Sequence, residues 1–183
     1  MNPTIDTVSV FAYGSLIWRP DFEFVGVCRA RVHGYERRFW QASHDHRGTP
    51  ELPGRVVTLV PVRNGYCDGL LYQLPAAQQG PILAQLDVRE QDGYERAWLP
   101  AIKSQCGSVV SVLTWLASEG NPSWVGDETI ERLAHLIANR RGPSGSNKEY
   151  LLRLHAAFDQ YGIADKHVES LVDLVTAQSS TYE

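Results

Sequence analysis

The sequence predicts an α+β protein in which a mixed β-sheet, curled towards a barrel, carries helices packed on its outside. Three observations favour this fold. Short segments rich in β-branched and aromatic residues, separated by turn residues, fill the first two thirds of the 183-residue chain. One helical segment interrupts them, and the last third has the apolar spacing of helices. We expect a single domain over residues 1–183, with its C-terminal third helical.

Seven segments are predicted to be strands from their β-branched and aromatic residues. In chain order they are Val8–Tyr13, Phe24–His33, Arg37–Gln41, Arg55–Val60, Tyr66–Gln73, Arg96–Lys103 and Val109–Leu116. Asn64-Gly65 has the sequence of a hairpin turn between two of these strands. Pro50, Pro53 and Gly54 indicate a loop before the fourth strand.

Four helices are predicted. The internal one extends from about Ala76 to Glu90, and Asp127 is a suitable N-cap for the second. Ser146-Asn147-Lys148-Glu149 has the pattern of a capping box and opens the third. The apolar faces of the three C-terminal helices are formed by Ile130, Leu133, Ala134 and Ile137, by Leu151, Leu154 and Phe158, and by Val168, Leu171, Val172 and Val175.

Composition restricts the partners and the compartment. A formal charge of −4 argues against a nucleic-acid partner. Cys28, Cys67 and Cys106 are odd in number and lack CxxC spacing, which favours a reducing compartment over a disulfide framework. The N-terminus lacks the features of a signal peptide, and no apolar run approaches the ~20 residues of a membrane span. We expect a cytoplasmic protein with no membrane partner.

The internal helix ends in a carboxyl group that lies on its apolar side. At about 100° per residue, Ile82, Leu83 and Leu86 form one stripe, and Glu90 lies about 30° from its centre. Burial and the negative end of a helix both raise the pKa of a carboxyl, towards the range of a general acid or base. The alternative is a surface glutamate at the helix end, or one paired with Arg89, Arg96 or another basic residue.

The loop Tyr13-Gly14-Ser15-Leu16 follows the first strand and leads directly into more apolar residues. Its successive N–H groups, with no side chain at Gly14, are suited to bind a carboxylate or an oxyanion. A tight turn is the alternative. A nucleophilic role for Ser15 is less favoured, because the segment lacks the second glycine of a G-x-S-x-G elbow.

Other polar residues offer weaker hypotheses. His44 and His46, with Asp45 between them, could bind a metal, although a loop anchored by hydrogen bonds is favoured because no third ligand follows at a recognisable spacing. Arg47 and Arg55 could each clamp a substrate carboxylate, or instead form an ion pair with Asp45, Glu51 or Asp87. Tyr150 could reach a pocket.

Six segments in order from Val10 to about Leu154 resemble one family, the ChaC-type γ-glutamylcyclotransferases. They are "YGSLIW", "RRFWQ", "DHRG", "PGRVVTL", "LDVRE" followed by "GY", and "GPSGSNKEYL". The resemblance implies that family's fold and the cleavage of glutathione to 5-oxoproline and cysteinylglycine. In that reaction the glutamyl amine attacks its own side-chain amide, and neither a cofactor nor a metal takes part.

The resemblance also implies roles for individual residues. Glu90 matches the catalytic glutamate and Tyr13–Leu16 matches the substrate loop, to which we add Val10, Phe11 and Ala12 as expected substrate-binding residues. Arg47, Arg55 and Tyr150 are expected to bind the substrate carboxylates. The sequence departs from the family at His44, Ser146 and Lys148, and after Leu154 it carries no family signal.

Two alternatives stay open at this point. The chain could act on other γ-glutamyl compounds, such as γ-glutamyl amino acids or γ-glutamylamines, because specificity depends on a few pocket contacts. It could also be a non-enzymatic protein that binds γ-glutamyl metabolites, with Glu90 paired to the substrate ammonium. The partner expected in each case is a small molecule.

Overall fold

A computed structural model describes residues 7–179 and contains a closed five-stranded barrel with helices packed against it. In chain order the elements are β1 (Ser9–Ala12), a 3₁₀ turn (Ser15–Ile17), β2 (Gly26–Ser43), β3 (Gly54–Gln73), α1 (Gln79–Arg89), β4 (Tyr94–Lys103), β5 (Val109–Ala117), α2 (Ile130–Asn139), β6 (Arg141–Gly142), β7 (Gly145–Ser146), α3 (Asn147–Tyr161) and α4 (Lys166–Ser179). The predicted α+β class, with a curled sheet and a helical C-terminal third, is confirmed.

The barrel is a mixed sheet with the strand order β1-β3-β2-β4-β5. Parallel pairing of β1 with β5, at Val10 and Leu113, closes the barrel, while the other neighbouring strands are antiparallel. Closure leaves β1 without an unpaired edge, although it has only four residues. The loop after β1 therefore begins from a firmly held strand.

The predicted hairpin at Asn64-Gly65 is wrong. Four of the predicted strands merge into two long ones, β2 and β3, and the segments on both sides of Asn64 pair with β2 rather than with each other. The register shifts between His33, which lies opposite Tyr66, and Tyr35, which lies opposite Pro61. Asn64 does adopt a positive φ of 63°, so the turn residues form an irregularity within β3 instead of reversing the chain.

Helix positions differ from the prediction at two N-termini. The internal helix begins at Gln79 rather than Ala76, because an earlier start would place Pro81 in the helix interior, where it has no N–H to donate. Thr129, not Asp127, caps α2 and accepts a hydrogen bond from the Arg132 N–H. Ser146 caps α3 as predicted, with its side chain accepting from the Glu149 N–H at 3.1 Å.

The C-terminal helices form a layer in which α4 packs on α2 and α3. The predicted apolar faces of these helices are buried there, and the residues with at most 1% exposure include Leu133, Ile137, Leu151, Leu154, Phe158, Val168, Leu171 and Val175. Val172 is half-buried. Within residues 7–179, no helix is long and apolar enough to cross a membrane.

Candidate active site

A cavity of about 250 Å³ lies where the loop after β1, the end of α1 and the start of α3 meet. Phe11 and Ala12 line it from β1, Tyr13–Leu16 from the following loop, and Tyr150 from α3. Glu90 lines it from the residue directly after α1. The structure therefore brings the predicted glutamate and the predicted loop to one cavity.

The loop presents N–H groups that its own turn leaves unused. The first hydrogen bond of the 3₁₀ turn runs from Ile17 N–H to the Gly14 carbonyl at 3.0 Å, so Ser15 and Leu16 have no acceptor inside the turn. Arg37 Nε donates to the Tyr13 carbonyl at 2.7 Å. Because the peptide is trans, this bond directs the Gly14 N–H the opposite way. Such an array is suited to bind an anionic oxygen.

Gly14 lies so close to its neighbours that a side chain would have to displace them. A Cβ at this position would lie 3.0 Å from Val57 Cγ2 and 3.4 Å from the Tyr150 hydroxyl. The absence of a side chain at Gly14 therefore allows the loop to lie against β3 and Tyr150, as well as allowing a ligand to approach the backbone.

Glu90 is the C-cap of α1, and its N–H donates to the Leu86 carbonyl at 2.8 Å. Its side chain is 19% exposed, and Oε1 lies 3.6 Å from Arg89 Nε. Burial raises the pKa of the Glu90 carboxyl, and the Arg89 guanidinium opposes that rise. Of the two arginines considered as partners of Glu90, Arg89 forms a loose ion pair with it, whereas Arg96 pairs with Asp87 at 2.6 Å.

Three tyrosines lie near Glu90, of which Tyr13 and Tyr150 are buried and Tyr94 is half-buried. Tyr13 donates its hydroxyl to the Trp115 carbonyl, and Tyr94 donates its hydroxyl to the Val57 carbonyl, both at 2.6 Å. Burial, with the nearby Glu90 carboxylate, raises the pKa of Tyr13, Tyr94 and Tyr150. All three are neutral hydroxyls near pH 7, so the wall around Glu90 carries no tyrosinate.

Tyr150 is fixed by aromatic contacts as well as by burial. Its ring meets Trp18 edge-on at a centroid distance of 5.3 Å and Phe39 edge-on at 6.0 Å. These contacts connect α3 to the loop after β1 and to β2. Tyr150 therefore lies at the cavity as predicted, in a fixed orientation.

Arg47 is a buried cation at the cavity wall. Its Nη1 donates to the Ser146 carbonyl at 3.1 Å and lies 3.5 Å from a carboxylate oxygen of Glu149. The guanidinium also lies 5.6 Å from the ring centre of Tyr150. Burial lowers the pKa of Arg47. Because its pair with Glu149 is loose, the buried guanidinium of Arg47 would be stabilised by an anionic ligand.

Arg55 and Val10 lie outside the set of residues that line the cavity. The Arg55 guanidinium forms a two-point pair with Glu128, at 2.7 and 3.3 Å, so its partner is none of the three acids considered from the sequence. Val10 is fully buried in the barrel wall. Neither residue lines this cavity, and the substrate-binding role expected of each stays a prediction.

The two histidines after β2 anchor loops. His44 Nδ1 lies 3.3 Å from an Asp92 carboxylate oxygen, and His46 Nδ1 lies 3.0 Å from the Ser144 hydroxyl. Among residues 7–179 there is no group of three or more His, Cys, Asp or Glu side chains that could hold a metal ion.

Sequence reasoning missed the contributions of Arg89, Tyr94 and Trp18 to this cavity. All three lie in segments that carried the resemblance, "LDVRE" with "GY" and "YGSLIW". The signal was thus present in the motifs, but their letters alone do not distinguish a residue that lines a cavity from one that packs beside it.

The chain is similar to known proteins over most of its length. The family model described as ChaC-like protein matches residues 8–178. The chain is 37% identical over 173 residues to γ-glutamylcyclotransferase 2-3 of Arabidopsis thaliana, covering 91% of this chain and 87% of that protein. It is 39% identical over 171 residues to glutathione-specific γ-glutamylcyclotransferase 1 of Mus musculus, covering 91% of this chain and 77% of that protein. A crystal structure of a yeast γ-glutamylcyclotransferase specific to glutathione superimposes with a TM-score of 0.87 at 30% identity, covering 93% of this chain and 96% of that one.

Proposed function

The chain belongs to the ChaC-like protein family, and we propose that it is a glutathione-specific γ-glutamylcyclotransferase that converts glutathione to 5-oxoproline and cysteinylglycine. One observation carries this proposal. The partly buried carboxyl of Glu90 and the N–H groups of the Tyr13–Leu16 loop line the same cavity. The reaction needs a group that moves a proton and donors that stabilise an oxyanion, and this cavity offers both.

Glu90 acts as the proton carrier. The glutamyl α-ammonium must lose a proton before its nitrogen attacks the side-chain amide carbonyl. Glu90 accepts that proton, and when the C–N bond breaks it returns one to the departing cysteinyl amine. The attacking nitrogen loses its second proton as the lactam forms, and the released amine takes up one proton to become an ammonium. A carboxyl whose pKa is raised by burial is suited to both steps, because it is neither too weak a base nor too weak an acid near neutral pH.

The loop after β1 stabilises the negative oxygen of the tetrahedral intermediate. The N–H groups of Gly14, Ser15 and Leu16 are the proposed donors, with Arg37 holding the Tyr13–Gly14 peptide in orientation. Ser15 contributes through its backbone. Its hydroxyl accepts a hydrogen bond from Arg89 Nη2 at 3.1 Å, and a guanidinium cannot serve as the base that a serine nucleophile requires.

Arg47 binds a carboxylate of the substrate, and Tyr150 with Phe11 and Ala12 shapes the cavity around the γ-glutamyl group. Holding the amine against its own amide carbonyl is a large part of catalysis, since near-attack geometry in an intramolecular reaction contributes on the order of 7–11 kcal/mol. The rigid contacts of Tyr150 with Trp18 and Phe39 serve this confinement.

The test is release of 5-oxoproline, followed by mass spectrometry, from glutathione, γ-glutamyl-alanine and γ-glutamyl-lysine offered separately. Release from glutathione alone, lost in Glu90→Gln, would support the proposal. Release only from the other two would retain the chemistry and contradict the specificity. Binding of glutathione without any 5-oxoproline would instead indicate a non-enzymatic binding protein.

A further inference from the structure

Arg89 joins the two parts of the proposed active site. Its Nη2 donates to the Ser15 hydroxyl at 3.1 Å, and its Nη1 donates to the Pro20 carbonyl at 3.2 Å. Its Nε lies 3.6 Å from Oε1 of Glu90. One side chain therefore contacts both the substrate loop and the proton carrier, which are about 75 residues apart in the chain.

Neither end of this connection is held by the sheet. Ser15 lies in the 3₁₀ turn, and Glu90 follows the last residue of α1. A guanidinium is planar and its donors keep fixed relative positions, so its hydrogen bonds to Ser15 and Pro20 set where its Nε faces Glu90. Lysine, with one flexible ammonium, cannot reproduce this arrangement.

We propose that Arg89 is a positioning residue that fixes the carboxyl of Glu90 relative to the Ser15 end of the substrate loop. This inference rests on the proposed function. Arg89 differs in this respect from Arg47, whose hydrogen bonds to Ser146 and Glu149 both come from Nη1. Two nitrogens of Arg89 donate hydrogen bonds to the loop and the third faces Glu90, an arrangement that suits a structural connection better than a substrate clamp.

The charge of Arg89 has a second effect on Glu90. Tyr13, Tyr94 and Tyr150 lie near Glu90 as neutral hydroxyls, from the loop after β1, from β4 and from α3, and Asp92 follows in the next turn. Among these neighbours Arg89 is the one that lowers the pKa of Glu90. Loss of the guanidinium should therefore raise that pKa further.

Arg89 also lies near an aspartate, Asp21, that is paired with a second arginine, Arg19. Asp21 Oδ2 lies 3.4 Å from Arg89 Nη1 and 2.6 Å from Arg19 Nε. The Asp21 carboxylate is 45% exposed, and exposed pairs contribute little. The contacts with Ser15, Pro20 and Glu90 are therefore the ones that the test addresses.

Two substitutions separate the two effects of Arg89. Arg89→Met removes the charge and the donors, whereas Arg89→Lys keeps the charge and loses the planar arrangement. The readouts are the titration of the Glu90 carboxyl by ¹³C NMR in the ligand-free protein, and kcat and KM for glutathione at the plateau of the pH profile. Arg96→Met is the matched control. Arg96, on β4, pairs with Asp87, which lies on the same helix as Arg89, and Arg96 does not line the cavity.

We expect Arg89→Met to raise the pH at which Glu90 titrates and to lower kcat by at least ~10-fold with a smaller change in KM. Arg89→Lys should titrate close to the wild type and still lose kcat. Arg96→Met should leave both readouts unchanged. Because Arg89→Met could disturb folding, Ser15→Ala provides an independent route: combined with Arg89→Lys, its effect on kcat should be less than additive.

Wild-type kcat in Arg89→Lys, or an unchanged titration of Glu90 in Arg89→Met, would overturn this inference while leaving the proposed function intact. Full additivity of Ser15→Ala and Arg89→Lys would also overturn it. Failure of the wild-type protein to release 5-oxoproline is a different result, which contradicts the proposed function itself. The NMR titration is independent of turnover and so distinguishes the two.

Discussion

Arg37 donates from Nε to the main-chain carbonyl of Tyr13 at 2.7 Å, and its side chain is only 1% exposed. The counterion of this buried cation is Asp165, from the connection between α3 and α4. The same carboxylate accepts hydrogen bonds from the N–H groups of His167 and Val168, both at 3.1 Å. The C-terminal helices thus support the active-site loop through one ion pair.

Replacing Asp165 with Asn should therefore be strongly destabilising. Asn can still cap α4, so the substitution removes mainly the charge that compensates Arg37. Leaving a buried charge without its partner costs roughly 3–5 kcal/mol of unfolding free energy. Urea unfolding of Asp165→Asn measures this, with the exposed Asp173→Asn on α4 as the control. Equal stability of the two variants would contradict the role assigned to the pair.

Replacing Glu90 with Gln should abolish turnover while leaving glutathione binding largely intact. Gln keeps the size of the side chain but cannot carry a proton between the α-ammonium and the leaving amine. We expect kcat to fall by at least ~10²-fold. Calorimetric titration with glutathione provides the binding measurement. Residual turnover near the wild-type level would exclude Glu90 as the proton carrier.

Arg47 and Arg55 should respond differently to replacement by Met. Arg47→Met removes a proposed carboxylate ligand, and a charge-assisted hydrogen bond contributes about 1.5–3 kcal/mol, so KM should rise roughly 10- to 100-fold. Arg55→Met instead breaks a pair with Glu128 in which both side chains are largely buried, at 9% and 12% exposure. It should lower the melting temperature and leave KM of the folded protein unchanged. The reverse pattern would assign the substrate contact to Arg55.

Replacing Gly14 with Val should impair both packing and substrate binding. A Cβ would already lie 3.0 Å from Val57 Cγ2, and the two methyl groups of Val extend further into the wall or the cavity. Overpacking of this kind costs typically 1–3 kcal/mol. Gly80→Ala is the control, since a Cβ there has no neighbour within 4 Å. Wild-type affinity for glutathione in Gly14→Val would contradict the close approach proposed for this loop.

The parts of the site that could be predicted are those specified by local sequence. The 3.6-residue period of α1 placed Glu90 near the apolar stripe, and Ser146 is followed by Glu149 in a recognisable cap. The hairpin prediction at Asn64-Gly65 was wrong because this dipeptide suits a chain reversal and an irregularity within a long strand equally well. Only the pairing of both flanking segments with β2 decides between them.

Ion-pair partners could not be predicted, because the fold brings them from distant parts of the chain. Glu128 pairs with Arg55 from 73 residues away, and Asp165 pairs with Arg37 from 128 residues away. Asp165 lies in the tail after Leu154, where no family signal was found. A carboxylate in a sequence does not indicate which cation it will meet until the barrel and the helical layer have been assembled.

Replacing Glu90 with Gln should also stabilise the protein, and by an amount that depends on pH. Burial raises the pKa of Glu90 above its value in the unfolded chain, which is about 4.3. Below that pH the carboxyl is protonated in both states and imposes no cost. As the pH rises, the unfolded chain releases the proton first, so the stability of the wild type falls until the pH passes the folded pKa.

The neutral Gln side chain does not titrate, so the melting temperature of Glu90→Gln should exceed that of the wild type most at pH 7–8 and converge with it near pH 4. Glu95→Gln, at an exposed position on β4, should show no such widening and serves as the control. Thermal unfolding across this range measures the difference. If the difference in melting temperature between Glu90→Gln and the wild type were instead largest near pH 4, the folded protein would lower the pKa of Glu90. The proton-carrier role would then lose its physical basis.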